Sequence, residues 1–223
     1  MGPGTLPALW RAAPPHVRTL CAVILLGWAG TGIGMAYFQN FAGEVVYGGE
    51  ADAPPGSRAR RLYDEGVETN SVLITAGTVV SMACALALPS ALRAVRVRTL
   101  YVATLLAMGL PSALLPWTYR YRVPCLVAQQ LSTCVGLILR VALPYEVIAR
   151  CRAPEQLAGN MSLVSMANSL GNMLGVAVAA AAGACGGGYF AVFAVSAGLH
   201  GAAAAVACTM EELPSLEGGG GGG

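Results

Sequence analysis

The chain contains no lysine, and arginine supplies all 13 of its basic residues. A Walker A phosphate loop, a Schiff-base enzyme and an SxxK nucleophile each need a lysine, so these three kinds of site are excluded. Charge of either sign is scarce, because 11% of the residues are charged, against about 25% in a soluble domain. The net charge of +2, without a basic arm, argues against binding to nucleic acid.

Paired cysteines are also missing. The seven cysteines stand singly, with no CxxC pair, and five of them fall in apolar segments, so neither a disulfide framework nor a zinc site is indicated. His16 and His200 belong to no paired ligand motif, and His200 is interpreted as a packed helix residue. The segments GTGIGM and AVSAG lack residues that a dinucleotide loop and a nucleophile elbow require. We therefore predict that the protein is not an enzyme and has no cofactor or metal site.

Apolar residues make up 56% of the chain, and the mean hydropathy is +0.62. A bilayer core of about 30 Å is crossed by a helix of about 20 apolar residues. Six segments come close to or exceed that length, at 17–39, 70–92, 98–118, 123–146, 161–183 and 187–208. The sequence therefore predicts an all-α membrane protein with six transmembrane helices, embedded in a lipid bilayer.

The segments outside these six helices define the expected organisation. Residues 1–16 form an N-terminal segment, 17–208 the six-helix bundle with an external loop at 44–69, and 209–223 a flexible acidic and glycine-rich tail.

Arginines flank alternate connections, and cytoplasmic loops carry an excess of arginine. The arginines that set the orientation are Arg11, Arg18, Arg93, Arg96, Arg98, Arg150 and Arg152. The loop at 44–69 instead carries six acidic residues against three arginines. Arg120 and Arg122 count against this assignment but are outnumbered. Both termini are therefore expected in the cytoplasm.

Polar residues are unevenly shared among the six predicted spans, with the third and sixth nearly bare. In the fourth span Gln129, Thr133, Gly136 and Arg140 follow one another at i, i+4, i+7 and i+11, which places them on one helical stripe. Polar groups within a membrane normally face protein or a water-filled cavity. The stripe therefore indicates a candidate binding surface.

Arg140 has two interpretations. A charge in the middle of a span costs about 2.5–3.5 kcal/mol on insertion scales, so it can mark a substrate or coupling site. Its side chain can also reach the cytoplasmic edge, where Glu146 lies. Pro144, one turn later, is expected to kink or end the helix.

The fifth span has a stripe of small residues every four positions, which predicts a close helix–helix contact. The stripe comprises Gly171, Gly175, Ala179 and Gly183. Asn168 and Asn172 on the same span are interpreted first as partners in interhelical hydrogen bonds and second as ligands. Gly30 and Gly34 of the first span predict another packing contact.

The stretch AYFQNFAGEVVYGG followed by LYDEGV resembles the solute carrier 45 family, whose pattern joins a helix end to an external loop. The matching residues are Phe41, Gly43, Glu44, Tyr47, Gly49, Leu62, Tyr63, Asp64, Glu65, Gly66 and Val67. A second match, ALPYEVI at 142–148, is similar to the end of the family's tenth helix. Together the two matches place the resemblance over about residues 17–183.

The resemblance implies one half of a major facilitator fold, helices seven to twelve of a twelve-helix sugar–proton symporter. Alternating access would move a sugar such as sucrose together with a proton, and a second transporter half or a homodimer would complete the cavity. The substrate would contact Gln39, Asn40, Gln129, Thr133 and Arg140. Proton coupling is assigned to Glu44 and Glu146. Alternatively, Glu44 is a solvated interfacial residue.

One departure from the family pattern concerns proton coupling. The family's Thr-Asp is Gln39-Asn40 here, and an amide cannot take up and release a proton near neutral pH. A rival hypothesis is therefore a non-transporting structural or regulatory half, which pairs with another transporter through its small-residue stripes.

Overall fold

The computed structural model describes residues 6–150, 154–184, 186 and 188–210. The described residues form helices and short connections and contain no β-strand. The helices are α1 (Leu6–Ala12), α2 (Pro15–Phe41), α3 (Arg58–Ala94), α4 (Val97–Thr118), α5 (Arg122–Arg150), α6 (Pro154–Ala184) and α7 (Gly188–Cys208), with a π-helical turn at Ala42–Val46. Arg152 and the predicted tail from residue 211 onward lie outside the described residues.

Among the described residues, six helices are long and apolar enough to cross a membrane, and they are α2 to α7. Each corresponds to one of the six predicted segments, so the prediction of an all-α membrane protein with six transmembrane helices is confirmed. Proline is tolerated inside these helices because neighbouring groups satisfy the freed carbonyls. α5 accordingly continues through Pro144 to Arg150, so of the two expected effects of Pro144, a kink or a helix end, the helix end was wrong.

The second span differs most from the prediction, because α3 begins at Arg58 rather than at residue 70. The Ser57 side chain accepts a hydrogen bond from the Arg60 amide at 3.1 Å and caps the helix, and Arg60 pairs with Asp64 at 3.0 Å one turn on. The 12 extra residues lengthen the helix by about 18 Å. Residues 58–69 of the predicted external loop are therefore helical, since low hydropathy does not exclude a capped, charge-paired helix.

The chain leaves α2 through the π-helical turn and then reverses direction at two glycines. Gly48 has a φ of +72°, which only glycine adopts at no cost. Gly49 lies directly against the Tyr63 backbone, where any Cβ atom would collide. Glycine is therefore required at both positions of this turn.

α2 is the central helix of the bundle. It packs along α6 and α7, α4 packs between α7 and α5, and α3 packs on α5 and the π-helical turn. At Gly171 and Gly175 there is no room for a Cβ atom beside the backbone of Leu25 and Ala29. The close contact predicted from the small-residue stripe is thus the α2–α6 interface.

Two apolar clusters close opposite ends of the bundle. One cluster, which includes Ala13, Leu20, Leu143 and Met210, joins the start of α2 to the ends of α5 and α7. The other is aromatic and centres on Phe41 and Phe193, which stack edge to face at 5.1 Å between ring centroids. Between the two clusters the helices enclose polar side chains.

Candidate substrate cavity

A cavity of about 210 Å³ lies inside the bundle, between α2, α3, α4, α5 and α7. Polar side chains supply more than half of the residues that line it. They are Thr31, Gln39, Asn70, Thr78, Ser112, Gln129, Gln130, Thr133, Ser196 and His200. Amides and hydroxyls both donate and accept hydrogen bonds, so the wall suits a neutral, hydroxyl-rich ligand.

Two hydrogen-bonded pairs connect neighbouring helices across the cavity wall. The Gln129 amide of α5 donates to the Ser112 hydroxyl of α4 at 3.1 Å. One residue later the Gln130 side-chain amide donates to the side-chain Oδ1 of Asn70 in α3 at 2.7 Å. Because consecutive residues of α5 reach opposite neighbours, α5 fixes the position of both walls.

A third polar group joins α2 to α7. The Ser196 hydroxyl donates to the Gly30 carbonyl at 2.7 Å, and the His200 Nδ1 lies 2.8 Å from the Ser196 carbonyl oxygen. The His200 Nε2 lies 3.4 Å from the Thr31 hydroxyl. These contacts hold the imidazole at the cavity wall, with 2% of its surface exposed.

Three of the predicted substrate residues, Gln39, Gln129 and Thr133, line this cavity. Gln39 is exposed on the open side of α2, and its side chain makes no hydrogen bond to any described residue. The Thr133 hydroxyl donates to the Gln129 carbonyl at 2.8 Å, which leaves its oxygen lone pairs available to a ligand.

Asn40 and Glu44 lie away from the cavity, at the end of α2 that joins the π-helical turn. The side-chain Oδ1 of Asn40 accepts a hydrogen bond from the Tyr63 hydroxyl at 2.8 Å. Glu44 accepts one from the Tyr189 hydroxyl at 2.6 Å. Both therefore have tyrosine partners on other helices, and neither borders the space that Gln129 borders.

Arg140 is buried inside the bundle, with 3% of its surface exposed, so its side chain does not extend out to the edge of the bundle. Its Nη1 donates to the Gly27 carbonyl at 2.5 Å, and its guanidinium lies 5.1 Å from the centre of the Trp28 ring. Eleven residues separate it from Gln129, or about 16 Å along the helix, so it does not line the cavity. The Arg140 Nη2 and the Tyr101 hydroxyl are buried without a hydrogen-bond partner among the described residues.

Glu146 lies farther along α5 and is half-buried. Its 17 residues of separation from Gln129 amount to about 25 Å of helix. Glu44 and Glu146, the predicted coupling residues, are therefore near opposite ends of the bundle and cannot exchange a proton directly. No group of three or more histidine, cysteine, aspartate or glutamate side chains within the described ranges could hold a metal ion.

The sequence did not single out several residues of the wall. Asn70, Ser112, Gln130, Ser196 and His200 were assigned to no site, and the third and sixth spans were described as nearly bare. Two signals were available: the adjacent amides of Gln129 and Gln130, and the scarcity of polar residues in α4 and α7, which makes each one conspicuous. The spatial convergence of these residues required the fold.

Comparison with known proteins identifies relatives for this set of helices. The chain is 39% identical over 67 residues to the human membrane-associated transporter protein, covering 29% of this chain and 13% of the relative. It is 30% identical over 94 residues to human solute carrier family 45 member 3, covering 42% and 17%. The resemblance to the solute carrier 45 family is confirmed.

A longer alignment connects the chain to another transporter. Human proton-associated sugar transporter A is 28% identical over 151 residues, covering 66% of this chain and 19% of the relative. The matches thus span well under a third of the length of these curated relatives. No family model and no solved structure matches the chain.

Proposed function

We propose that the chain is one half of a sugar–proton transporter and moves a sugar such as sucrose by alternating access. The supporting observation is the polar cavity among the helices α2, α3, α4, α5 and α7, whose amides and hydroxyls match sugar hydroxyls. The relative named as a proton-associated sugar transporter supports the same class of substrate.

The size of the cavity supports a half rather than a complete site. Drug-sized ligands occupy pockets of roughly 300–1,000 Å³, whereas this space measures about 210 Å³. A second half facing it would enlarge the cavity and close it, as in transporters whose site lies between two repeats.

Unpaired amides on the bundle surface indicate where that second half would sit. Gln39 of α2 and Asn172 of α6 are exposed, and neither side chain makes a hydrogen bond within the described part of the chain. The interhelical hydrogen bonds expected of Asn168 and Asn172 are thus absent among the described residues. Exposed amides are costly against lipid, so the two positions are each suited to water or to another protein.

A non-transporting half remains the second candidate, favoured by Asn40 in place of the family's aspartate. Its expected contact surface changes, however. Gly171 and Gly175 are already covered by α2, so the small-residue stripe is not free to bind a partner. Such a half would instead use the exposed surface that carries Gln39.

Sugar-dependent thermal stability of the purified full chain tests the transporter proposal. Sucrose at high concentration stabilises many proteins non-specifically, so the informative result is saturation. A ligand at 100 times its Kd stabilises by about 2.7 kcal/mol, and we expect a saturable rise in unfolding temperature that Gln129→Leu abolishes. A rise linear in sucrose concentration and equal in Gln129→Leu would contradict sugar binding at the cavity. Co-purification with a full-length transporter and no saturable response would support the second candidate.

The proposed orientation has both termini in the cytoplasm, on the basis of the flanking arginines. Asn160, within a glycosylation sequon, is 5% exposed in α6, so a missing glycan would not report its side of the membrane. Cys208, exposed at the end of α7, is a better reporter in a variant that retains it as the single cysteine. We expect an impermeant thiol reagent to label it only after cells are opened; labelling of intact cells would reverse the orientation.

A further inference from the structure

His200 is a buried titratable group at the cavity wall that sugar recognition does not explain. Its position is fixed by two glycines on neighbouring helices. A Cβ atom at Gly30 of α2 would lie 2.6 Å from the imidazole, and one at Gly109 of α4 would lie 3.0 Å from the His200 Cβ atom. The imidazole is therefore held against two helix backbones, with one edge at the cavity.

The hydrogen bonds of His200 determine which nitrogen can gain a proton. A carbonyl oxygen only accepts, so the Nδ1 at 2.8 Å from the Ser196 carbonyl carries a hydrogen. In the neutral imidazole the Nε2 then has a free lone pair. This Nε2 faces the Thr31 hydroxyl at 3.4 Å.

Thr31 has one hydroxyl proton and two acceptors within reach. The Gly27 carbonyl lies 3.0 Å from its oxygen, and the His200 Nε2 competes for the same proton. Once Nε2 binds a proton, it becomes a donor to the Thr31 oxygen. The Thr31 hydroxyl then keeps its own hydrogen bond to the Gly27 carbonyl. The protonated ring therefore makes its own hydrogen bond to Thr31, whereas the neutral Nε2 gains one only if the Thr31 hydroxyl turns away from the Gly27 carbonyl, which also accepts from Arg140.

The same carbonyl connects the histidine to Arg140. Gly27 accepts both the Thr31 hydroxyl and the Arg140 Nη1, so one chain of contacts runs from α7 through α2 to α5. Arg140 is the charged side chain that acts electrostatically on His200 within the described residues. Of the other helices packed on α7, α4 carries Tyr101, a neutral phenol beside Arg140, and the described side chains of α2 and α6 present no charged group to the imidazole.

We propose that His200 is the proton-binding site of this bundle, with the proton entering from the cavity onto Nε2 and with Thr31 and the Gly27 carbonyl linking its protonation to Arg140. The role in coupling rests on the proposed sugar–proton transport. The proton binds to a lone pair, so the only change is one added positive charge. Two neighbouring cations repel, so binding of an anion or a carboxylate to Arg140 would favour protonation of His200.

Nitrogen NMR of the full-length chain in detergent tests this proposal without sugar. The His16→Gln variant leaves His200 as the single histidine, and ¹⁵N-labelled histidine reports both ring nitrogens from pH 9 to pH 4. We expect one protonated and one unprotonated nitrogen at high pH, with the proton on Nδ1. Both nitrogens should become protonated as the pH falls.

Two variants test the link to Arg140. Arg140→Gln removes the neighbouring charge and is expected to raise the proton affinity of His200 at least tenfold. Thr31→Val removes the acceptor for the protonated Nε2 and is expected to lower that affinity three- to tenfold. Equal titration in the Arg140→Gln and parent chains would overturn the link to Arg140.

A neutral imidazole down to the pH at which the helices unfold would overturn the proton site itself, whether or not either variant folds. A titrating His200 in a chain without saturable sugar stabilisation would remove sugar transport and leave the proton site. Saturable sugar stabilisation with a histidine that never titrates would keep sugar binding and remove the proton site.

Discussion

The two sides of α2 differ in how they are packed. On the side toward α6 and α7, glycines bring backbones into direct contact, and Gly175 has no space for a methyl group beside Ala29. On the other side Gly34 has open space around it, and Met35 and Gln39 are exposed. One helix thus combines a closed structural interface with an open polar surface, which shows that a glycine repeat alone does not identify a packing surface.

The largest effect is expected from a methyl group on the closed side. Gly175→Ala would place a Cβ atom against the Ala29 backbone, and overpacking of this kind costs roughly 1–3 kcal/mol, occasionally more. We expect a clear fall in the unfolding temperature in detergent.

Gly34→Ala is the matched control. It adds the same methyl group to another helical glycine, at a position where no atom of a neighbouring helix lies within 4 Å of the new Cβ atom. Alanine is the better helix former by about 1 kcal/mol, so this variant should be neutral or slightly stabilised. Equal losses in the two variants would mean that the two sides of α2 are not different.

A change on the open side should affect binding rather than stability. Gln39→Leu removes an exposed amide that lines the cavity, so we expect sugar-dependent stabilisation to weaken by about tenfold, or about 1.4 kcal/mol, with an unchanged unfolding temperature in the absence of sugar. Met173→Leu, exposed on α6 and outside the cavity, is the control and should retain the response. Loss of stability without sugar would indicate that Gln39 has a structural role.

The smallest effect is expected where α2 ends. Tyr189→Phe removes the hydroxyl that donates to Glu44 at 2.6 Å. A hydrogen bond to a charged group contributes about 1.5–3 kcal/mol when buried, and this one is partly exposed, so a loss of about 1 kcal/mol is expected. Thermal unfolding measures it. Tyr121→Phe is an exposed control that should change nothing, and an equal loss there would argue against a specific Glu44 contact.

Several features of the fold could be predicted from local pattern alone. Six apolar segments gave six helices, and the stripe through Gly171 and Gly175 gave a close helix contact. The start of α3 at Arg58 could not be predicted from hydropathy, because it depends on the Ser57 cap and on the Arg60–Asp64 pair.

The candidate site was predictable in part. Gln129 and Thr133 were found because they repeat on one face of one helix. Arg140 shares that stripe and still turns away to Gly27, because a long side chain reaches a neighbouring carbonyl that helical spacing does not reveal. Asn40 and Glu44 were placed with the site by resemblance, but their tyrosine partners hold them outside the cavity.

The sequence by itself determined that this protein is helical, membrane-embedded and similar to the solute carrier 45 family, because hydropathy, helix length and a conspicuous loop pattern are properties of contiguous residues. Only the tertiary structure decided which polar residues meet. His200, Thr31 and Ser112 lie on three helices far apart in the chain, and no spacing pattern within one segment links them. Their proximity follows from helix packing across the bundle, which depends on contacts that no single segment contains.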